Sequence, residues 1–154
     1  MKENIKKIWE AYLFSIGESL ENKKLECKMV EYFGNEEIAD ELFSLVYSGK
    51  KVATCGSLWT YEFEGIEPLK KGDLTIVTDY LGEKACVIRT TNIRIKKFIE
   101  ITEEEARLEG EGDLSLEYWR EGHKKFFTEE CKEIGKEFSE EMPVVFEEFE
   151  VVYR

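Results

Sequence analysis

The sequence predicts a single α+β domain: a small mixed β-barrel, partly closed, with helices packed outside it. Three observations lead there. The chain has 154 residues, enough for one domain with one sizeable core. Apolar residues recur at helical spacing near the N-terminus and again after residue 114. Between them lie several short β-rich runs punctuated by Gly and Pro, and several short strands in a chain of this size suggest a small barrel. No repeat, low-complexity tract or linker divides the sequence, so residues 1–154 are expected to form one domain.

The elements follow in order. Ile5, Ile8, Trp9, Tyr12, Leu13 and Ile16 predict an amphipathic helix over about 4–17, ended by Gly17 and packed on the barrel. Leu25 to Phe33 is expected to be extended. Asn35 is placed to cap a second helix, with Glu36 and Glu37 favoured in its first turn. Ile38, Leu42, Leu45 and Val46 form its buried stripe, and Gly49 ends it in the left-handed region. Lys51 to Phe63 reads as a strand with a break at Gly56, with Trp59, Tyr61 and Phe63 alternating along it. Pro68 and Lys70-Lys71-Gly72-Asp73 make a turn. Leu74–Asp79 and Lys84–Ile95 are two β-rich runs around Gly82, a predicted hairpin. Thr102 and Glu105 form a capping box for a short helix from Glu103 to about Glu109, stopped by Gly110. A longer helix starts at Leu114, capped by Asp113 or Ser115, with Leu116, Trp119, His123 and Phe127 on one face. Pro143 opens a last strand, Val144–Tyr153.

Charge narrows the function. The formal net charge is -12, and residues 101–154 hold 17 Asp and Glu against 7 Lys and Arg. Binding to duplex DNA needs clustered cations, so no duplex DNA partner is expected. Lys50-Lys51, Lys70-Lys71 and Arg94 to Lys97 are the clusters that a local basic groove would use; solvated turn and strand ends are the plainer alternative. The four cysteines stand far apart and there is one histidine, so no zinc site is expected. Isolated cysteines at apolar positions fit a reducing cytoplasm. Charges interrupt the apolar residues of the N-terminal stretch, which therefore reads as neither signal peptide nor membrane span.

Three groups of residues could carry chemistry. At the helix-to-strand junction, Lys51 and Thr54 follow Gly49 closely. On one continuous strand their odd offset would point them to opposite faces, unless the strand starts late or bulges. Lysine at a helix C-terminus also suits the helix dipole without any function. Glu109, Glu111 and Asp113 alternate like calcium-loop ligands, but the glycine and glutamate that such a loop needs at its sixth and twelfth positions are Leu114 and Arg120. A turn between helices explains the stretch without a metal, and Glu111 is expected to face solvent. Glu109 ends a helix, where unpaired carbonyls raise a carboxyl pKa toward that of a general acid. Trp119, Arg120 and His123 lie together on the long helix, and Trp119, like the strand aromatics Trp59, Tyr61 and Phe63, serves either a core or a stacked base.

The ordered pieces Gly49-Lys50-Lys51-Val52-Ala53-Thr54, Lys70-Lys71-Gly72-Asp73, Ala106 to Glu109 and Ser115 to His123 resemble the ASCH-domain family of the PUA-like superfamily. The stretch EGEGDLSLEYWREGH is similar to a large bacterial branch of it. The resemblance runs from about Trp9 to Val152. It implies a cleft beside the barrel that binds RNA, a nucleotide or a modified nucleoside. In some members the cleft hydrolyses the amide of acetylcytidine, and others have been proposed as ribonucleases. Carried over, the working residues are Lys51, Thr54 and Glu109. Lys50, Trp59, Trp119, Arg120 and His123 are the expected binding set from their residue types and positions. In the enzymatic reading a desolvated Lys51 of lowered pKa takes the proton of Thr54, Thr54 attacks the carbonyl, and a protonated Glu109 serves the leaving amine. Gly56 stands where the family often has arginine, so the same substrate does not follow. The alternatives are a non-catalytic RNA- or nucleotide-binding regulatory module and a partner-binding regulator using its acidic face. No cofactor, metal or membrane is expected, and the chain is expected to be a monomer or weak homodimer.

Overall fold

The computed structural model describes residues 1–22 and 24–154. Its helices are α1 (Glu3–Ser15), α2 (Ala39–Tyr47), α3 (Leu58–Glu64), α4 (Glu103–Leu108) and α5 (Leu116–Glu133). Its strands are β1 (Cys27–Glu31), β2 (Ala53–Ser57), β3 (Leu74–Thr78), β4 (Ala85–Lys97) and β5 (Pro143–Tyr153). They form one mixed sheet in the order β1-β3-β4-β5-β2. β1 runs parallel to β3, and the other three pairings are antiparallel. The α+β class holds, and the sheet is open, with β1 and β2 as its edges. Two register shifts along β4 and β5, at Val87/Ile88 and Thr90/Asn92, curl the longest pair of strands.

Each face of the sheet is covered differently. On the outer face Leu74, Ile76 and Val87 meet Ile5, Trp9, Tyr12 and Leu13 of α1. Farther along that face Ala53, Cys55, Val144 and Phe146 meet Trp119 and Phe127 of α5. On the inner face Val77, Cys86, Ile88 and Phe149 pack against Phe33 and the Leu42, Phe43 and Val46 stripe of α2. Burying these side chains contributes about 1.5–3 kcal/mol for each large apolar residue.

The local signals for α4 and α5 act as expected. Thr102 Oγ1 accepts from the Glu105 N–H at 3.1 Å, and a Glu105 carboxylate oxygen accepts from the Thr102 N–H at 3.0 Å. Ser115 caps α5, accepting from the Tyr118 N–H at 3.0 Å, while Asp113 accepts from the Ser115 N–H at 2.9 Å.

Two elements differ from expectation. The strand predicted to reach Phe63 stops at Ser57, and α3 follows at once. Trp59, Tyr61 and Phe63 therefore do not alternate on a strand; Phe63 is exposed, and Gly65 closes α3 in the left-handed region. The aromatic residues favour a strand, but tertiary packing overrides propensity: Trp59 reaches the core under α5, and the Tyr61 ring covers Gly56. Asn35 does not cap α2 directly. Its side chain accepts from the Glu37 N–H and its carbonyl from Ile38 and Ala39, closing a turn before the helix begins. Leu45 is half-buried, and Phe43 takes the core position instead.

Candidate functional site: a buried lysine–glutamate cluster at the sheet edge

Main-chain contacts position the site. Gly49, at φ 81°, ends α2, and the Lys50 and Lys51 N–H groups both donate to the Leu45 carbonyl at 3.0 Å. The Val52 N–H donates to Leu108 O at the end of α4, and the Phe149 N–H of β5 donates to Val52 O, each at 3.0 Å. Gly110 crosses the Lys50 carbonyl at φ 70°, so close that a Cβ there would lie 2.4 Å from that oxygen. Only glycine combines this dihedral with this approach. The end of α4 is thereby pinned against the entry to β2, which sets Glu109 opposite Lys51.

Lys51 Nζ lies 3.0 Å from Glu109 Oε1 and 3.0 Å from Glu111 Oε2. The Lys51 and Glu109 side chains are each 1% exposed. The indole N–H of Trp119 donates to Glu109 Oε2, and His123 Nε2 lies 3.3 Å from the same oxygen. His123 Nδ1 is 2.9 Å from the Trp119 carbonyl, and the two rings stack at 4.1 Å. Both imidazole nitrogens thus face acceptors, which an imidazolium satisfies and a neutral ring does not.

The electrostatics revise two expectations. Burial pushes the Lys51 ammonium down, but Glu109 and Glu111 outweigh it and the net shift is upward. Burial pushes Glu109 up, but Lys51, His123 and Trp119 outweigh it and hold the carboxyl well below its usual range. Burial likewise pushes His123 down, and Glu109 brings it above its ordinary value. At rest Lys51 is therefore charged rather than a free amine, and Glu109 is ionised rather than an acid. The helix-end repulsion expected for Glu109 is real in kind, but a cation at 3.0 Å dominates it. Glu111, expected to face solvent, belongs to the cluster.

The cluster opens onto a cavity of about 630 Å³ lined by Lys51, Thr54, Glu109, Glu111, Trp119 and His123, among others. Since β2 begins only at Ala53, Lys51 precedes the strand, and the odd offset does not keep it from sharing the cavity with Thr54. The structure does not bring in the other three expected residues. Lys50 is exposed and outside the lining. Trp59 packs toward the α5 core with Lys136 over its ring at 5.3 Å. Arg120 turns to the Ile99 carbonyl. The space an arginine at position 56 would need is taken by Tyr61, whose ring lies 3.3 Å from where a Cβ on Gly56 would stand.

Ligating atoms of Glu109, Glu111 and His123 lie within 4.8 Å of one another, the one arrangement among the described residues that could hold a metal ion. The Lys51 ammonium already bonds both carboxylates, so a cation would have to displace it. The cavity walls are acidic. Glu36, Glu37 and Glu41, before and within α2, line the cavity together with Glu129, Glu130, Glu133 and Lys125 of α5. Sequence reasoning also passed over Glu31 and Glu147. The available signal was the run Val145-Phe146-Glu147-Glu148-Phe149, where alternation should have placed one of the two glutamates on a buried face.

An open mixed sheet flanked by helices, with a side-chain-lined cleft at one edge, defines a PUA-like domain. The family model of the ASCH domain matches residues 29–153, and the chain belongs to that family. It is similar over 100% of its length to 97% of the ASCH domain from Lactobacillus crispatus JV V101, with 36% identity and a TM-score of 0.90. It is also similar to EF3133 from Enterococcus faecalis V583, with 32% identity and a TM-score of 0.88 over 99% of this chain and 90% of that one. Hypothetical protein PH0355 shares the fold at 21% identity and a TM-score of 0.50, over 80% of this chain and 97% of that one. No curated protein matches the chain. Among the described residues, no helix is long and apolar enough to cross a membrane.

Proposed function

We propose that the protein is an amidohydrolase that removes an acyl group from a modified nucleobase in an uncharged nucleoside. The observation that carries this reading is the Lys51–Glu109 pair, buried together at 3.0 Å on a cavity that Thr54 also lines. The pair is a stored proton. Moving one proton from the Lys51 ammonium to Glu109 yields an amine and a carboxylic acid, the two forms the reaction uses. A ligand that fills the cavity and expels water favours this exchange, because a drier site penalises the charged forms.

The steps then balance. The Lys51 amine takes the proton of the Thr54 hydroxyl, and Oγ1 bonds to the amide carbonyl carbon. The carbon–nitrogen bond breaks as Glu109 gives its proton to the leaving amine. Water attacks the acyl-threonine and gives a proton to Glu109, and the Thr54 oxygen leaves with the proton held on Lys51. Trp119 and His123 keep Glu109 Oε2 engaged, so that Oε1 faces Lys51.

The electrostatics favour this reading over an RNA or nucleotide cleft. Phosphate binding needs clustered cations. Lys51 is bonded to two carboxylates, Lys50 lies outside the cavity, and six further glutamates of the lining outnumber its one other lysine, Lys125. The experiment is incubation with a panel of N-acylated nucleosides, comparing the wild type with Lys51→Met and Glu109→Gln. Release of the acyl group by the wild type alone, insensitive to moderate salt, is the expected result. No turnover of any member, with salt-sensitive binding of an RNA oligonucleotide, refutes the proposal.

A further inference from the structure

Every glycine of this chain but one has a reason within the fold. Of the eleven, nine take a positive φ, where a side chain is strained, and Gly56 lies under the Tyr61 ring. Gly122 has neither reason. It stands exposed in the interior of α5 without a positive φ, and among the described residues a Cβ there would meet nothing within 4 Å. Glycine is the poorest helix former after proline, because it loses the most backbone freedom on folding. Alanine would fit at this position and strengthen the helix, so the fold gains nothing from the missing side chain.

What Gly122 faces is the cavity, whose lining it joins. Tyr118 and Phe126, one turn before it and one turn after, belong to the same lining. The two aromatic side chains thus bracket a stretch of bare main chain. The Tyr118 ring rests on Gly112, where a Cβ would lie 2.4 Å from its nearest ring carbon, yet 48% of Tyr118 stays exposed. Gly122 also directly precedes His123, whose Nε2 lies 3.3 Å from Glu109 Oε2. A group resting on the main chain at Gly122 therefore lies beside the carboxyl that serves the leaving amine.

We propose that Gly122 is the specificity-determining notch of the cavity, against which the planar ring of the acylated base packs between Tyr118 and Phe126. The proposal rests on the amidohydrolase reading of the cavity and adds which surface of α5 the base uses. Main chain flanked by aromatic side chains suits a flat, uncharged ring, which gains contact over its whole face and needs no counter-charge. A methyl group at position 122 would hold that ring away from α5, and so away from Glu109. A close-packed helix does not give way to make up the difference.

The test reads binding and stability rather than turnover, so it can fail separately from the amidohydrolase reading. The probes are cytidine, adenosine and ribose, titrated into the full chain while the amide signals of Tyr118, His123 and Phe126 are followed by NMR. The two nucleosides should give saturable shifts, at a Kd on the order of 1 mM for such small ligands. Ribose, which lacks the ring, should give none. Gly122→Ala should weaken both nucleosides by about tenfold, and Gly122→Leu should abolish their response. In urea unfolding Gly122→Ala should be more stable than the wild type, its midpoint raised by roughly 0.5 M. Gain of stability with loss of binding marks a residue kept for the ligand and not for the fold. Three results overturn the proposal: a lower urea midpoint for Gly122→Ala, nucleoside binding unchanged in both variants, or no saturable response of the wild type to either nucleoside. Acyl release by the wild type alongside any of these would leave the amidohydrolase reading standing without the notch. The expected binding and stability pattern without acyl release would do the reverse.

Discussion

Replacing Glu109 by Gln keeps the shape of the side chain and removes its charge. The carboxylate offers an acceptor on each side, to Lys51 through Oε1 and to Trp119 and His123 through Oε2. An amide has one acceptor oxygen, so its NH2 must face a donor whichever way it turns. Breaking a buried pair by removing one partner costs about 3–5 kcal/mol. Glu111 remains 3.0 Å from Lys51 and softens the loss, while the mispaired amide adds about 1–3 kcal/mol. We therefore expect Glu109→Gln to lose about 4 kcal/mol in urea unfolding at neutral pH. At about 2–4 °C per kcal/mol, Tm should fall by roughly 8–16 °C. Lys51→Met should cost about 3 kcal/mol, because it leaves two carboxylates facing each other. The double variant should cost less than the two together by about 2 kcal/mol, the signature of groups in contact. A Glu109→Gln loss below about 1 kcal/mol, or additivity to within about 0.5 kcal/mol, would refute the claim that this pair is a coupled, desolvated unit.

Other outcomes follow from the same geometry. Glu147 and Glu31 bind protons more tightly folded than unfolded, at about 8 and about 7 against a reference of 4.5. Their contribution is present below the reference value and is lost as pH rises through 7 and 8, by up to about 1.4 kcal/mol per pH unit for each group. Urea midpoints measured from pH 5 to 9 should therefore fall, and Glu147→Gln should flatten the fall; a profile that rises over this range contradicts the burial of these groups. Gly110→Ala must accommodate a Cβ 2.4 Å from a backbone oxygen, whereas Gly49→Ala meets nothing within 4 Å. The first should cost well over 2 kcal/mol and the second about 1 kcal/mol, and equal losses in denaturant titrations would remove the backbone contact as the cause. Nitrogen-15 NMR of His123 should show both ring nitrogens protonated at pH 7, and a neutral tautomer there would break the assignment of its two partners.

Much of this fold was legible because local chemistry agreed with it. Thr102, Glu105 and Ser115 cap where their side chains say they should, and Gly49 and Gly110 stop helices in the left-handed region that their sequence positions suggested. The stretch from Leu58 to Glu64 misled because aromatic residues favour strands locally, while the choice of helix there rests on contacts with β2, β5 and the core under α5. The site divided the same way. Lys51, Thr54 and Glu109 were legible from their places at element ends and from the family resemblance, and all three line one cavity. Their protonation states were not legible, since the lysine of Glu109 lies 58 residues away in sequence and helix-end arguments see only the local dipole. Glu111 was misjudged for the same reason, and alternation narrows the buried residue to Glu147 or Glu148 while only the strand register shows which of the two turns inward.

The hydrogen bond from Val52 to Leu108, and the passage of Gly110 over Lys50, involve no side chain. These main-chain contacts help to hold positions 51 and 109 opposite each other, while Ala106 in the core and Glu105 at Arg94 and Lys96 fix the rest of α4. Such a frame works as a socket. Pairs of different chemistry can be exchanged at the two positions without redrawing the backbone, and a reversed pair, with glutamate at 51 and lysine at 109, is the smallest exchange that tests whether the frame or the side chains came first.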